Sequence, residues 1–200
     1  MDCLLSTAYF PPVEYMKMIA RGEGIFIERC ERYQKQSYRN RCRILASDGP
    51  LSLSIPLENS PSKDISVMRI DYSKPWILQH KRAIVSAYNS SPFFIYYMDD
   101  IFSILDRRYQ YLLELNMALL EKLVVLCGIR KDIALTHSYL RTEELPWQMC
   151  DLRELIHPKK EAICTCESYY QVFSDRFGFV PSLSVLDLLC NEGPNAISFL

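Results

Sequence analysis

The opening of the chain sets the strongest limit on its fold. Cys3 to Thr7 is an apolar run too short for a helix and reads as a buried strand that enters the stiff Pro11-Pro12 loop. Val13 to Ala20 then carries apolar residues at helical spacing and stops at Gly22 and Gly24, before a second short strand over Ile25 to Glu28. A strand, loop, helix, strand unit of this kind belongs to an α/β domain. Arg39 to Ala46 and Leu51 to Leu57 flank Ser47-Asp48-Gly49-Pro50, a turn signal between two alternating runs, and so predict a β-hairpin. Pro56 places the second strand or its end at a sheet edge, because proline has no amide proton to give the ladder.

After the loop-like stretch Glu58 to Lys63, Ile65 to Ile70 reads as a short strand. From Pro75 the pattern turns helical: Trp76, His80, Ala83, Ile84, Ala87 and Tyr88 recur at three and four residues until Asn89-Ser90-Ser91-Pro92. Further helices are predicted over Phe93 to Leu105 and, largely buried, over Tyr109 to Cys127, closed by Gly128. Ile133 to Leu135 returns as a strand, Trp147 to Ile156 reads as a short helix, and Val185 to Cys190 as a helix behind Ser184 and Asp187 at capping-box spacing. The expectation is a single α/β domain over residues 1–200, with a mixed sheet, a β-hairpin and an inserted helical layer.

Composition narrows the function. With 200 residues, 49% hydrophobic and 24% charged, the chain can bury a core without staples. A net charge of −1 and the absence of long basic runs argue against a nucleic-acid partner. No basic leader precedes the first apolar run, and Leu112 to Leu126 is interrupted by Glu114, Asn116, Glu121 and Lys122, so neither a signal peptide nor a membrane span is expected and a cytoplasmic location is. The eight cysteines are scattered and read as free buried thiols. Cys150, Cys164, Cys166, Cys190, His137 and His157 lack zinc-ligand spacing, and no metal is assigned.

The chemistry concentrates in Tyr33 to Ile44. On a strand, Arg39, Arg41 and Arg43 share one face and repel one another unless solvent, acidic neighbours or an anionic ligand compensates. The candidate ligand-binding residues are Lys35, Arg39 and Arg41, with Asn40 and Tyr33 adding hydrogen bonds to a phosphate or carboxylate. The alternative is a solvated hairpin face balanced by Asp48, Glu58 or Glu31. Trp76 and His80 share a helix face, where His80 is either a general base or a buried, hydrogen-bonded histidine. Tyr9 follows the first strand, where ligand crevices open in α/β sheets. Asp187 and Asn191 share a helix face and point either at a ligand or, for Asp187, at a capping role. The common phosphate-loop, dinucleotide, serine-hydrolase and zinc-protease motifs are missing, which leaves the cofactor unassigned.

Taken in order, these pieces resemble the WbqC-like protein family of bacteria, in the form found in Bacteroides-type organisms. The resemblance rests on Leu4-Leu5-Ser6-Thr7-Ala8-Tyr9-Phe10-Pro11-Pro12-Val13 with Tyr15, and on Tyr33-Gln34-Lys35-Gln36-Ser37-Tyr38-Arg39-Asn40-Arg41-Cys42. It continues through Trp76 and His80, Ala83 to Phe94, Tyr170 to Phe173, Gly178-Phe179, Pro181 to Ser184, Asp187 to Leu189 and Asn191 to Pro194. This chain has Ser6-Thr7 where many relatives open with Gln-Pro, and Pro181-Ser182 where others carry Pro-Asn-Leu-Ser. The resemblance implies a role near surface-polysaccharide assembly, including O-antigen. On that footing the first expectation is a transferase on a sugar nucleotide or glycan precursor, with Arg39, Asn40 and Arg41 gripping an anionic group and His80 as base. The second is a non-catalytic binding or assembly protein for a precursor or partner enzyme. The third is a hydrolase with a cysteine nucleophile such as Cys42 beside His80.

Overall fold

A computed structural model describes every residue from Met1 to Leu200. The elements run β1 (Asp2–Ser6), α1 (Val13–Arg21), β2 (Ile25–Glu28), β3 (Arg41–Ala46), β4 (Gly49–Ser54), α2 (Trp76–Tyr88), α3 (Phe94–Asp106), α4 (Leu112–Leu126), β5 (Ile133–Leu135), β6 (Met149–Asp151), α5 (Ser174–Phe177) and α6 (Val185–Glu192). The class is α/β, with the two kinds of strand pairing housed in separate sheets. A four-stranded parallel sheet has the order β5-β2-β1-β6, and β3-β4 forms an antiparallel hairpin. The hairpin is tighter than its turn signal implies: Ala46 pairs with Gly49, so only Ser47 and Asp48 lie in the loop and Pro50 stands opposite Leu45. Gly49, the first residue of β4, follows that loop with a positive φ, as the glycine after a type I turn does.

The inserted helices α2, α3 and α4 lie between the hairpin and β5 in sequence. Leu112, Leu115, Leu119, Leu120 and Leu123 are buried along α4, which ends at a left-handed Gly128. One continuous core of 45 buried residues takes side chains from the parallel sheet, the hairpin and the helices, so the two sheets belong to one body. No helix is long and apolar enough to cross a membrane.

Two expected elements differ. Trp147 to Ile156 is not a helix; it holds β6, which pairs in parallel with β1 through Cys3 and Cys150. Over so few residues apolar spacing cannot separate helix from strand, and the open edge of β1 decides the outcome. Ile65 to Ile70 is not a strand either. The Asp64 carboxylate accepts from the Ser66 amide and folds Ile65–Val67 into a 3-10 turn, after which Arg69 and Ile70 make only single bridges to Tyr111 and Leu57.

Candidate functional site

All four parallel strands end on the same side, at Ser6, Glu28, Leu135 and Asp151. The chain passes from β1 to β2 on one flank and returns as β6 on the other, so the order reverses at β1, where α/β sheets open a crevice. Here charge is buried. Glu28, which closes the run Ile25-Phe26-Ile27, is fully enclosed and accepts from the Cys30 and Leu140 amides, the Thr136 hydroxyl and Arg153 Nη1. Three loops are thereby tied to one carboxylate. Arg153 is held from its other side by Asp151 and lies 4.9 Å from the centre of the Tyr139 ring. Burial works against ionisation of Asp151, yet hydrogen bonds from Arg153 and Thr142 keep its carboxyl below the usual range.

Beside it, Glu31 accepts from Arg39 Nε at 2.9 Å, from Arg39 Nη2 and from the Ser6 hydroxyl at 2.8 Å. Both members of this bidentate pair are buried, and burial pushes the Glu31 carboxyl up against the pull of Arg39. Asn116 explains its own place in the apolar run of α4: Nδ2 donates to Thr7 Oγ1 at 3.1 Å and to the Arg39 carbonyl at 2.8 Å. Over this floor opens a cleft of about 330 Å3 lined by Cys30, Glu31, Arg32, Gln34, Tyr139 and Glu154.

A second concavity, about 320 Å3, lies along the hairpin. It brings together Tyr33, Lys35, Asn40 and Arg41, and adds Lys63, Glu58 and Asn59 from the loop before the 3-10 turn. Arg41 Nε is steadied by Ser54 Oγ at 3.0 Å, and Asn40 Nδ2 donates to the Ile55 carbonyl at 2.8 Å. Arg39 takes no part. Strand geometry begins only at Arg41, so the expected common face of Arg39, Arg41 and Arg43 does not form, and Arg39 turns inward to Glu31. The acidic neighbour named in the alternative reading is thus the partner of Arg39, while Arg41 stays partly exposed. The segment Glu31 to Gln36 is a shared wall: Glu31, Arg32 and Gln34 line the cleft, and Tyr33, Lys35 and Gln36 line the groove.

The remaining candidates lie apart from both openings. Tyr9, Trp76 and His80 form an enclosed cluster in which the Tyr9 hydroxyl meets His80 Nδ1 at 2.9 Å and the indole stands edge-on to the imidazole. Burial lowers the His80 pKa to about 4, partly offset by a hydrogen bond to the Ser54 carbonyl, so the ring is neutral at pH 7. Asp187 belongs to a different network. Its Oδ2 accepts from the Tyr169 hydroxyl at 2.8 Å and Gln171 Nε2 at 2.9 Å, and no well-formed hydrogen bond reaches Oδ1. Burial raises its pKa to about 6 in spite of hydrogen bonding from Tyr169, Gln171 and the Tyr88 hydroxyl. Ser184 does cap α6, accepting from Leu186 N. Its own amide, however, donates to the Arg43 carbonyl, so the capping box with Asp187 does not close. Asn191, also buried, donates to the Asp187 carbonyl one turn back. Cys42 is fully buried and burial pushes its thiol far up, which keeps it protonated and speaks against a nucleophilic role.

Sequence reasoning passed over Glu28, Arg153, Tyr139, Gln34 and Glu154. One local signal was present: a charged residue closes each of two short apolar strands, Glu28 after Ile27 and Asp151 after Cys150.

Comparison with known proteins agrees with the order of these pieces. The chain is 26% identical to the uncharacterized protein Rv1507c of Mycobacterium tuberculosis, across 98% of this chain and 96% of that one. No solved structure matches it. The sequence profile of the WbqC-like protein family matches residues 7–157, which takes in the strand-end crevice, the hairpin groove and the helical layer. The chain therefore belongs to the WbqC-like protein family.

Proposed function

We propose that the protein acts in the cytoplasm in bacterial surface-polysaccharide assembly, as a transferase on a sugar nucleotide or glycan precursor whose diphosphate occupies the hairpin groove. The observation that carries this reading is the convergence of Lys35, Arg41 and Lys63 with Tyr33 and Asn40 on one open groove. Like charges gathered there repel one another, and a diphosphate relieves the repulsion while accepting a forked pair of bonds from Arg41. The one carboxylate in the groove, Glu58, is 3.5 Å from Arg69, an outside partner that draws on its charge. A small anion suits the groove better than a nucleic acid, since the chain as a whole carries a net charge of −1. The polysaccharide setting comes from what the family resemblance implies.

A second reading has its own support. Neither His80 nor Asp187 lines the groove, so its residues bind without an assigned base, as a protein that holds a precursor or partner enzyme would. Calorimetric titration of uridine diphosphate and its sugar esters tests both. Binding that weakens about tenfold or more in Arg41→Ala, with the ligand-free melting temperature unchanged, is the expected result. Turnover of a sugar ester with an added acceptor then selects the transferase, and binding without turnover selects the holding protein. Diphosphate binding that is absent, or indifferent to Arg41→Ala, overturns both.

A further inference from the structure

The strand-end cleft is built differently from the groove across the wall. We propose that it is a second subsite, one that takes a neutral polyhydroxylated ring, a sugar residue, beside the anion-binding groove. The inference rests on the preceding reading only for the choice of carbohydrate among neutral polar ligands; the case for a site stands on the cleft itself.

The first observation is charge. Glu31 at the cleft floor is matched by Arg39, whose Nη2 also lies 3.6 Å from Glu154 Oε1, and the remaining polar side chains of the cleft are Arg32, Gln34 and the half-exposed Glu154. One cation, one carboxylate and one amide nearly cancel in charge yet supply both donors and acceptors, as ring hydroxyls require. A diphosphate would meet Glu154 instead of a second cation. Gln34 Nε2 now donates to Glu154 Oε1 at 2.5 Å, so a donor and an acceptor stand side by side, spaced to exchange their mutual bond for two bonds to neighbouring hydroxyls.

The second observation is Tyr139, 52% exposed at the cleft. Its ring rests on the Arg153 guanidinium, which is itself fixed by Asp151, Glu28 and the Leu140 carbonyl. A half-exposed aromatic ring braced from behind offers a flat apolar surface to the C–H face of a sugar, at little cost in side-chain entropy. The third is placement: the cleft lies at the carboxyl ends of the parallel strands, where their order reverses, and its volume of about 330 Å3 is in the range of small-ligand sites. Because Glu31 to Gln36 is the wall between cleft and groove, a sugar on one side and a diphosphate on the other are held by a single segment.

Saturation-transfer NMR on the full chain, using the methyl glycosides of glucose, galactose, mannose, N-acetylglucosamine, rhamnose and fucose one at a time, tests the subsite, with uridine diphosphate as a separate probe of the groove. At least one glycoside should receive transfer, with affinity falling about tenfold in Tyr139→Ala, largely kept in Tyr139→Phe and unchanged in Arg41→Ala. Glu154→Gln, an exposed and conservative change, gives an independent loss should Tyr139→Ala prove unstable. The subsite is overturned if no glycoside responds, if the response ignores both Tyr139→Ala and Glu154→Gln, or if it disappears in Arg41→Ala. Failure of uridine diphosphate to bind while a glycoside does overturns the groove reading and leaves the cleft standing.

Discussion

Arg39 and Arg41 are two positions apart and have opposite fates, because what a side chain does depends on where its counter-charge lies. Glu31 draws Arg39 into the interior, where losing either partner would strand a buried charge, while Arg41 keeps part of its guanidinium in water. His80 makes the same point about burial and yields a pH prediction. Its folded pKa of about 4 lies below the unfolded value of 6.5, so between these limits the unfolded chain binds a proton that the folded one does not. The stability it lends is therefore complete above pH 6.5 and is lost as the pH falls toward 4, by about 3 kcal/mol. Asp187, raised to about 6, acts in the opposite sense, losing stability as the pH rises through that value, so total stability conceals both effects. Comparing urea denaturation of the wild type and His80→Gln at pH 7 and pH 4 isolates the histidine: the gap between them should shrink by about 3 kcal/mol. A gap that does not change with pH would mean that His80 titrates as if it were exposed.

Elements with strong local signals formed where their residues place them. The Pro75 start and the Asn89-Ser90 stop bracket α2, and Gly22 and Gly128 mark the ends of α1 and α4. Short segments without such punctuation, β6 and the 3-10 turn at Ile65, took the form their neighbours imposed. Gly193 shows how an element boundary can depend on packing as well as on backbone. It ends α6 at φ +55, and a Cβ there would lie 2.4 Å from the Phe93 ring, whereas Gly128 at φ +72 faces open space. Gly193→Ala should therefore cost about 3 kcal/mol, combining left-handed strain with overpacking, and Gly128→Ala about 1 kcal/mol. Denaturation midpoints of the two variants measure the difference, and equal losses would show that Phe93 swings aside.

For the molecule as a whole, the family profile ends at residue 157 but the core does not. Leu183, Val185, Leu186, Leu188, Leu189 and Cys190 are fully buried, and backbone bonds from Val13 to Leu183, from Val185 to Pro11 and from Ser184 to Arg43 tie α6 to both α1 and the hairpin. A chain cut after His157 should lose cooperative thermal unfolding and bind a hydrophobic dye, since it would expose that part of the core. A sharp unfolding transition in the truncated chain would make residues 158–200 an appendage to a self-sufficient fold. By itself the sequence determined the α/β class, the hairpin, the three inserted helices and the cationic character of Tyr33 to Arg41, because turns, caps and periodicity act over a few neighbouring residues. Only the tertiary structure decided that Arg39 leaves the groove, that β6 joins β1, and that Ser6, Glu28, Glu31 and Arg153 meet at the strand ends. The pairing of β1 with β6 and the ion pair of Glu28 with Arg153 join residues more than a hundred positions apart, and no local spacing encodes a contact that exists only once the sheet has assembled.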